Sequence, residues 1–255
     1  MQKTIGVLLT RWNEPPRGSN SNWSIGTGVL IDSTHVLTSA HNLIEVEEGH
    51  ESIRLTGTRS ITTLFYPDFL PDSGAVAGGE LSGAPSPGLN VAAAWHPAAY
   101  AEKATRPWDI AVLRLDSAHM PNQGGFPTRV QNLEAKILKQ ASGIFDSQQL
   151  SLPALTVRGY NVDGSKPSTK QLSVSVQELD VKTNQIVYAN AQQIKSISGS
   201  SGAPLYDAQT GTLYGIHHCG SGRTFAVGLF QPILSFIQAA LTQQLVKGPF
   251  HIKSL

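Results

Sequence analysis

The chain is cut into short pieces by its turn formers. Its 24 glycines and 15 prolines are spread along 255 residues rather than pooled. Between them lie short apolar or alternating runs at 4–11, 24–31, 35–39, 52–56 and 110–115, and again at 154–160, 171–179, 185–189, 212–217 and 224–230. Runs of this length between turn residues read as β-strands, because glycine and proline make tight turns readily and interrupt helices. An all-helical fold is excluded. The first set of runs is enough to close a small antiparallel barrel, and the second set looks alike in architecture, although no residue-level repeat relates the two.

Three segments break this rhythm. Residues 72–90 are rich in Gly, Ala, Ser and Pro with almost no large apolar residue, which predicts an inserted surface loop. Residues 119–127 shift to Pro, Asn, Gln and Gly and lead into a polar stretch, which predicts a linker between two barrels. After Phe230 the period becomes helical: Pro232 suits a first turn, Ile233, Ile237 and Leu241 recur at four-residue spacing, and Gly248 is placed to end the helix. The expected division is a barrel over 1–118, a linker over 119–145, a second barrel over 146–231, and a helix and tail over 232–255. A chain of this length can bury a substantial core.

Charge and cysteine content remove several classes of function. Lys and Arg number 19 against 18 Asp and Glu, a net charge of +1, so no strong field exists to gather phosphate backbones or anionic lipid. A role on nucleic acid or a membrane surface is not expected. One cysteine, Cys219, excludes an intrachain disulfide framework and a zinc site built from paired cysteines. No stretch approaches the roughly 20 apolar residues that cross a bilayer. The run from Ile5 to Leu9 after Lys3 is too short for a secretory core. That leaves the compartment open: cytoplasmic if Met1 is the native start, secreted if the chain is a mature domain. Gly26-Thr27-Gly28 lacks the third glycine of a dinucleotide loop, and no cofactor or metal is expected.

Three short stretches carry groups capable of chemistry. Thr38-Ser39-Ala40-His41 follows a strand, Trp108-Asp109-Ile110-Ala111-Val112-Leu113 sets an acid at the mouth of an apolar strand, and Gly199-Ser200-Ser201-Gly202-Ala203-Pro204 is a serine turn bracketed by glycine. A serine hydroxyl is a weak nucleophile at neutral pH, so Ser201 requires a base within hydrogen-bond reach. An imidazole such as His41, with an ordinary pKa near about 6.5, can take that proton and return it to a leaving amine. Asp109 would hold the ring in one tautomer and stabilise its charged form. The glycines let backbone amides approach a substrate closely, which makes Gly199 and Ser201 the candidates for an oxyanion hole.

These stretches occur in the order His, Asp, Ser, with separations of 68 and 92 residues. In that order they resemble the chymotrypsin-like serine peptidases over nearly the whole chain. The resemblance implies an all-β fold of two antiparallel six-stranded barrels with a C-terminal helix. It also implies a serine endopeptidase working through an acyl-enzyme, with His41, Asp109 and Ser201 as the triad.

Two departures refine this expectation. The residue before the nucleophile is Ser200 rather than the aspartate of the animal digestive enzymes, so their charge-pair activation is absent. The pattern is closer to the glutamyl-endopeptidase branch, which includes bacterial enzymes without disulfides. At the position that forms the pocket floor in the family stands Lys195, which disfavours basic substrate side chains. Gly215-Ile216-His217 resembles the Gly-Ile-His of that branch, whose histidine contacts an acidic side chain. With Ser196 and Ser198, the lysine and His217 could recognise a carboxylate, implying cleavage after Glu or Asp.

His218 and Gly220, with Cys219 between them, are expected to form the strand that pairs with substrate backbone. His218 also stands where many family members carry the serine that supports the aspartate. The partner implied is a peptide or protein substrate; an activating or regulatory protein stays open, and the oligomeric state is unread. A different class stays open as well: a catalytically latent or inactive module of the same fold, acting within a larger assembly. The intact His41, Asp109 and Ser201 weigh toward the enzyme.

Overall fold

The computed structural model describes residues 4–16, 20–48, 53–67, 76–77, 80–81, 88–103, 106–120, 129–130, 154–163, 166–189, 199–218, 225–243 and 252–254. The first sheet contains β1 (Ile5–Trp12), β2 (Trp23–Leu30), β3 (His35–Thr38), β4 (Ile44–Glu48) and β5 (Ile53–Pro67). A two-stranded hairpin of β6 (Val76–Ala77) and β7 (Glu80–Leu81) precedes β8 (Leu89–Pro97) and β9 (Ala111–Leu115). The order β8-β9-β3-β2-β1-β5 closes on itself through a β5–β8 pairing, giving a six-stranded barrel. Closure depends on close approach at Gly6, which pairs with Gly28: a Cβ on Gly6 would lie 2.5 Å from the ring of Phe65. Phe65 is fully buried and fills the space a side chain on Gly6 would occupy, while Val36 stands 2.6 Å from where a Cβ on Gly28 would lie.

Beyond a short β10 (Arg129–Val130), the second sheet holds β11 (Leu155–Asp163), β12 (Lys166–Val174), β13 (Val176–Asp180), β14 (Gln185–Tyr188), β15 (Pro204–Asp207), β16 (Thr212–His218) and β17 (Phe225–Gly228). Its path β12-β11-β15-β16-β17-β14-β13 is open, because no ladder joins β12 to β13 among the described residues. The all-β architecture matches the expectation, with one difference in detail: the second unit is a half-barrel rather than a closed barrel of six. The run expected at 171–179 is divided at Ser175, where the chain turns from β12 into β13.

Helix α1 (Ala98–Lys103) follows β8, and α2 (Gln231–Leu241) closes the second unit with Pro232 in its first turn. Helix α2 ends at Thr242, and Gly248 lies outside the described residues. Its buried face, Ile233, Phe236, Ile237, Ala239 and Ala240, joins a core that draws Ile5, Val7, Leu9, Ile110 and Val112 from the barrel and Tyr160, Tyr206, Leu213 and Phe225 from the half-barrel. One continuous apolar core therefore fixes the two sheets against each other, the condition for a site built from both. The tail returns as β18 (Ile252–Ser254) and pairs with β8. Among the described residues no helix is long and apolar enough to cross a membrane.

The loop expected over 72–90 contains the β6–β7 hairpin and ends where β8 begins at Leu89. Most of the predicted linker lies outside the described residues; its short β10 pairs in parallel with β16.

Candidate active site

Strands β3 and β9 are antiparallel neighbours, with Thr38 opposite Ala111. The end of β3 therefore lies beside the beginning of β9. Three residues past β3, a 3-10 turn (Ala40–Asn42) carries His41, and two residues ahead of β9 stands Asp109. Residues 68 apart in sequence are brought together by this register: the Asp109 carboxylate accepts from the His41 amide at 2.9 Å through Oδ1 and from His41 Nδ1 at 2.5 Å through Oδ2. Asp109 is completely buried, while the His41 side chain retains 28% exposure. The acid is shielded and the imidazole is reachable.

Burial by itself favours a neutral Asp109, but the charge of His41, then that of His218, and the hydrogen bonds from both rings hold its carboxyl well below the usual carboxylate range. Burial likewise pulls His41 down, yet the charge of Asp109 and its hydrogen bond leave the imidazole raised above its ordinary 6.5. An ionised Asp109 can only accept, so His41 Nδ1 must carry a proton. When His41 is neutral, its Nε2 is consequently a lone-pair base.

A second imidazole reaches the same acid. His218, the last residue of β16, donates from Nδ1 to Asp109 Oδ2, stacks on Phe225 at 4.7 Å and meets the His41 ring edge-on at 5.2 Å. Potential ligand atoms of His41, Asp109 and His218 all lie within 4.8 Å of one another, compact enough to hold a cation. Here that compactness is accounted for by two N–H donors converging on one carboxylate oxygen.

The serine turn is positioned by the barrel, through its backbone. Ser201 donates nothing to the His41 ring: no hydrogen bond joins its hydroxyl to that imidazole among the described residues. Its carbonyl oxygen accepts from the Thr27 amide at 2.9 Å and from Asn42 Nδ2 at 3.0 Å. Asn42 also donates to Thr38 Oγ1, Thr38 Oγ1 to the Thr27 carbonyl, and Thr27 Oγ1 to the Gly199 carbonyl. On the half-barrel side, Gly202 N donates to the His217 carbonyl, which also accepts from Ser39 Oγ beside the histidine turn. Gly199 and Gly202 both have positive φ, 87° and 89°. At Gly202 a side chain is excluded outright, because a Cβ would stand 2.0 Å from the Thr27 carbonyl oxygen. Ser201 itself is 8% exposed.

His217 and His218 point to opposite sides of β16, as alternation along a strand requires. The His217 ring lies wholly inside the half-barrel, stacked on Tyr188 at 5.8 Å and hydrogen-bonded to its hydroxyl through Nδ1 at 3.3 Å; its buried Nε2 has no partner among the described residues. Burial, then the charges of His218 and His41, push His217 down to about 3, so it is neutral at physiological pH. Burial raises the Tyr188 hydroxyl well above its ordinary 10. Lys195, Ser196, Ser198 and Gly220 lie outside the described residues.

Sequence reasoning placed His41, Asp109, Ser201, Gly199 and His217 in one region. It missed Thr27, Thr38, Asn42 and Tyr188, whose roles arise between strands distant in sequence. His218 was expected in the strand that pairs with substrate backbone, at the position whose serine supports the aspartate in the family; its side chain hydrogen-bonds Asp109.

A closed barrel and a half-barrel, with an imidazole–acid pair on one and a serine turn lodged against it from the other, define the chymotrypsin-like fold. Residues 26–216 match the trypsin-like peptidase domain, and the chain belongs to that family. Solved structures agree at low sequence identity. A Glu endopeptidase is 19% identical with a TM-score of 0.61, over 95% of this chain and 92% of that one. The protease Anisep from Arthrobacter nicotinovorans is 16% identical with a TM-score of 0.55, over 94% and 96%. An inactivated protease paralogue of the scabies mite is 15% identical with a TM-score of 0.59, over 95% of each. No curated protein matches the sequence. Family and fold imply peptide or protein substrates.

Proposed function

We propose that this chain is a serine endopeptidase that hydrolyses peptide bonds through an acyl-enzyme. The observation that carries the reading is the hydrogen bond from His41 Nδ1 to buried Asp109, which leaves Nε2 as the base. Nε2 takes the hydroxyl proton of Ser201 as Oγ bonds to the scissile carbonyl carbon. The negative oxygen that forms is met by the amides of Gly199 and Ser201. Protonated His41 then gives its proton to the leaving amine, the carbon–nitrogen bond breaks, and water attacks the acyl-Ser201 ester by the same base catalysis.

For specificity we infer a preference for Glu or Asp before the scissile bond. A protonated Tyr188 donating to His217 Nδ1 would leave a proton on His217 Nε2, a buried donor without a partner among the described residues and suited to a carboxylate. Lys195, Ser196 and Ser198 would add charge and hydrogen bonds, and the backbone of His218 and Gly220 would pair with the substrate. The similar structure of a Glu endopeptidase supports this reading.

The absent hydrogen bond between Ser201 and His41 favours a second reading, a latent form that engages Ser201 only with a substrate or a protein partner bound. Labelling with a fluorophosphonate separates the two. An active peptidase labels at Ser201, loses the label in Ser201→Ala and cuts a denatured protein; a chain that neither labels nor cuts is the latent module.

A further inference from the structure

Thr27 Oγ1 stands in the middle of a two-bond chain: it accepts from the Tyr160 amide at 3.0 Å and donates to the Gly199 carbonyl at 3.0 Å. We propose that Thr27 is a positioning residue whose hydroxyl presets the two oxyanion amides from the opposite unit of the fold; the proposal rests on the peptidase reading above.

Three peptide planes follow one another at the nucleophile, and each is held by its carbonyl. The Ser200 carbonyl, in the plane that carries the Ser201 N–H, accepts from Ala203 N at 2.8 Å within the turn. The Ser201 carbonyl accepts from Thr27 N and from Asn42 Nδ2. The Gly199 carbonyl has one donor among the described residues, the Thr27 hydroxyl. The Gly199–Ser200 plane links the two amides proposed for the negative oxygen, so its tilt sets the spacing and angle between their N–H groups. Gly199 has φ of 87° and no side chain, and its own torsions therefore hold that plane weakly. An oxyanion hole is effective when its donors are already aimed and need no reorganisation as charge develops.

The direction of the Thr27 hydroxyl follows from its surroundings. Thr27 is fully buried on β2, and the Tyr160 N–H of β11 occupies a lone pair of Oγ1. The hydroxyl hydrogen is left for Gly199, and the incoming amide polarises the O–H and strengthens it as a donor. From the half-barrel side β11 presses on the same turn: a Cβ on Gly159, the residue before Tyr160, would stand 2.9 Å from Ala203 Cβ and 3.1 Å from Ser200 Cβ. The serine turn is thus clamped between β2 and β11. The Thr27 hydroxyl ties both strands to the one carbonyl of the three that no backbone amide reaches among the described residues.

Two pairs of chains isolate this hydroxyl: the wild type against the near-isosteric Thr27→Val, and Thr27→Ser against Thr27→Ala. Each is given a peptide substrate, the peptide aldehyde of the same sequence, whose carbonyl carbon bonds to a serine Oγ and places an oxygen in the hole, and the matching peptide alcohol, which places none. Within each pair the chain lacking the hydroxyl should show kcat lower by about ten- to a hundredfold, with KM within about threefold. Its affinity for the aldehyde should weaken by a similar factor, and its affinity for the alcohol should not change. Unchanged aldehyde affinity in a folded pair overturns the proposal, as does an equal loss for aldehyde and alcohol, the mark of a site loosened in general. Thermal melts show which chains fold; where Thr27→Val does not, the Ser and Ala pair decides. The amide resonances of Gly199 and Ser201 need neither turnover nor inhibitor. They should be single and narrow in the wild type and Thr27→Ser, and broadened or doubled in Thr27→Val and Thr27→Ala; unmoved resonances overturn the proposal. A wild-type chain that neither cuts nor binds the aldehyde defeats the peptidase reading, and the resonances then decide the role of Thr27 on their own.

Discussion

Asn42 Nδ2 donates to the carbonyl oxygen of Ser201 at 3.0 Å, across 159 residues of sequence. Asn42 is the residue after His41, so the turn that holds the imidazole also grips the backbone of the serine. The relative placement of His41 and Ser201 is therefore held by a hydrogen bond from the side chain beside the histidine to the backbone of the serine, reinforced by the Thr27 amide on the same carbonyl.

Asn42→Ala should remove the donor to both Ser201 and Thr38 while leaving the Thr27 amide in place. Losing hydrogen bonds of a buried side chain costs roughly 1–3 kcal/mol, read as a lower urea midpoint at unchanged slope. Catalysis should fall in kcat more than in KM, because the loosened coordinate lies between His41 and Ser201. An unchanged midpoint would mean that the Thr27 amide alone fixes the turn.

Gly202→Ala should be far more damaging. The residue has φ of 89°, and the added methyl group would meet the Thr27 carbonyl oxygen and Thr38 Oγ1, at 2.0 and 2.2 Å. The first of these is backbone in the barrel and cannot step aside without opening the contact between sheets. A loss above about 3 kcal/mol follows, within the range seen for strained backbone and overpacked cores. The check is soluble yield and melting temperature beside the wild type.

The sequence made the chemistry legible where the groups sit in compact local patterns: an imidazole after a strand, an acid before one, a serine between glycines. The fold was legible in its strands with large β-branched and aliphatic residues, such as β1 and β9. It was not legible at β8, whose Ala92-Ala93-Ala94 has weak strand preference and is held by pairing with β9 and β5. Asn42 and Thr27 gave no signal because nothing local marks a hydrogen bond from one unit to the other, and Thr38 acts only by holding those two in place. The place of His218 beside Asp109 was legible only through the family resemblance, because alternation along β16 says no more than that its side chain opposes that of His217.

The peptidase activity should rise with pH through a limb set by His41. The ring must be neutral to act as base, and Asp109 raises it above 6.5, so half-maximal kcat/KM is expected above that value. Asp109→Asn removes the charge that raises the ring and permits the wrong tautomer. The limb should move to lower pH while kcat falls by roughly 10⁴-fold. A pH–rate profile with the limb unmoved in Asp109→Asn would show that another group titrates.

Acid stability should carry the signature of His217. Its pKa is pushed down to about 3 in the folded chain against an ordinary 6.5, so between those values the unfolded chain binds a proton that the folded chain refuses. Stability then falls as pH drops through this window, by at most about 1.4 kcal/mol per unit for one group. Asp109 adds to the loss below 3.8, where its lowered carboxyl stays ionised in the folded state alone. His41 works the other way: its raised value contributes stability that is full below 6.5 and fades as pH climbs through the folded value. Urea midpoints at several values between pH 7 and 4 should therefore decline less steeply in His217→Gln than in the wild type. Parallel declines would remove His217 as the source.

Substrate choice should depend on Tyr188, although that residue is buried and 1% exposed. Its hydroxyl is raised well above 10, so it keeps its proton and can donate to His217 Nδ1. That bond selects the tautomer with the proton on Nε2. A tautomer with the proton on Nδ1 would offer a carboxylate a lone pair and repel it. Tyr188→Phe keeps the stacked ring and removes the lock. On peptides differing only before the scissile bond, the ratio of kcat/KM for Glu over Gln should fall by about tenfold, the scale of one hydrogen bond to a charged group. Turnover of the Gln peptide should stay within about threefold, since an uncharged amide can pair with either tautomer. If the ratio is unchanged while the variant melts at the wild-type temperature, the acidic preference does not pass through His217, and Lys195 becomes the residue to replace.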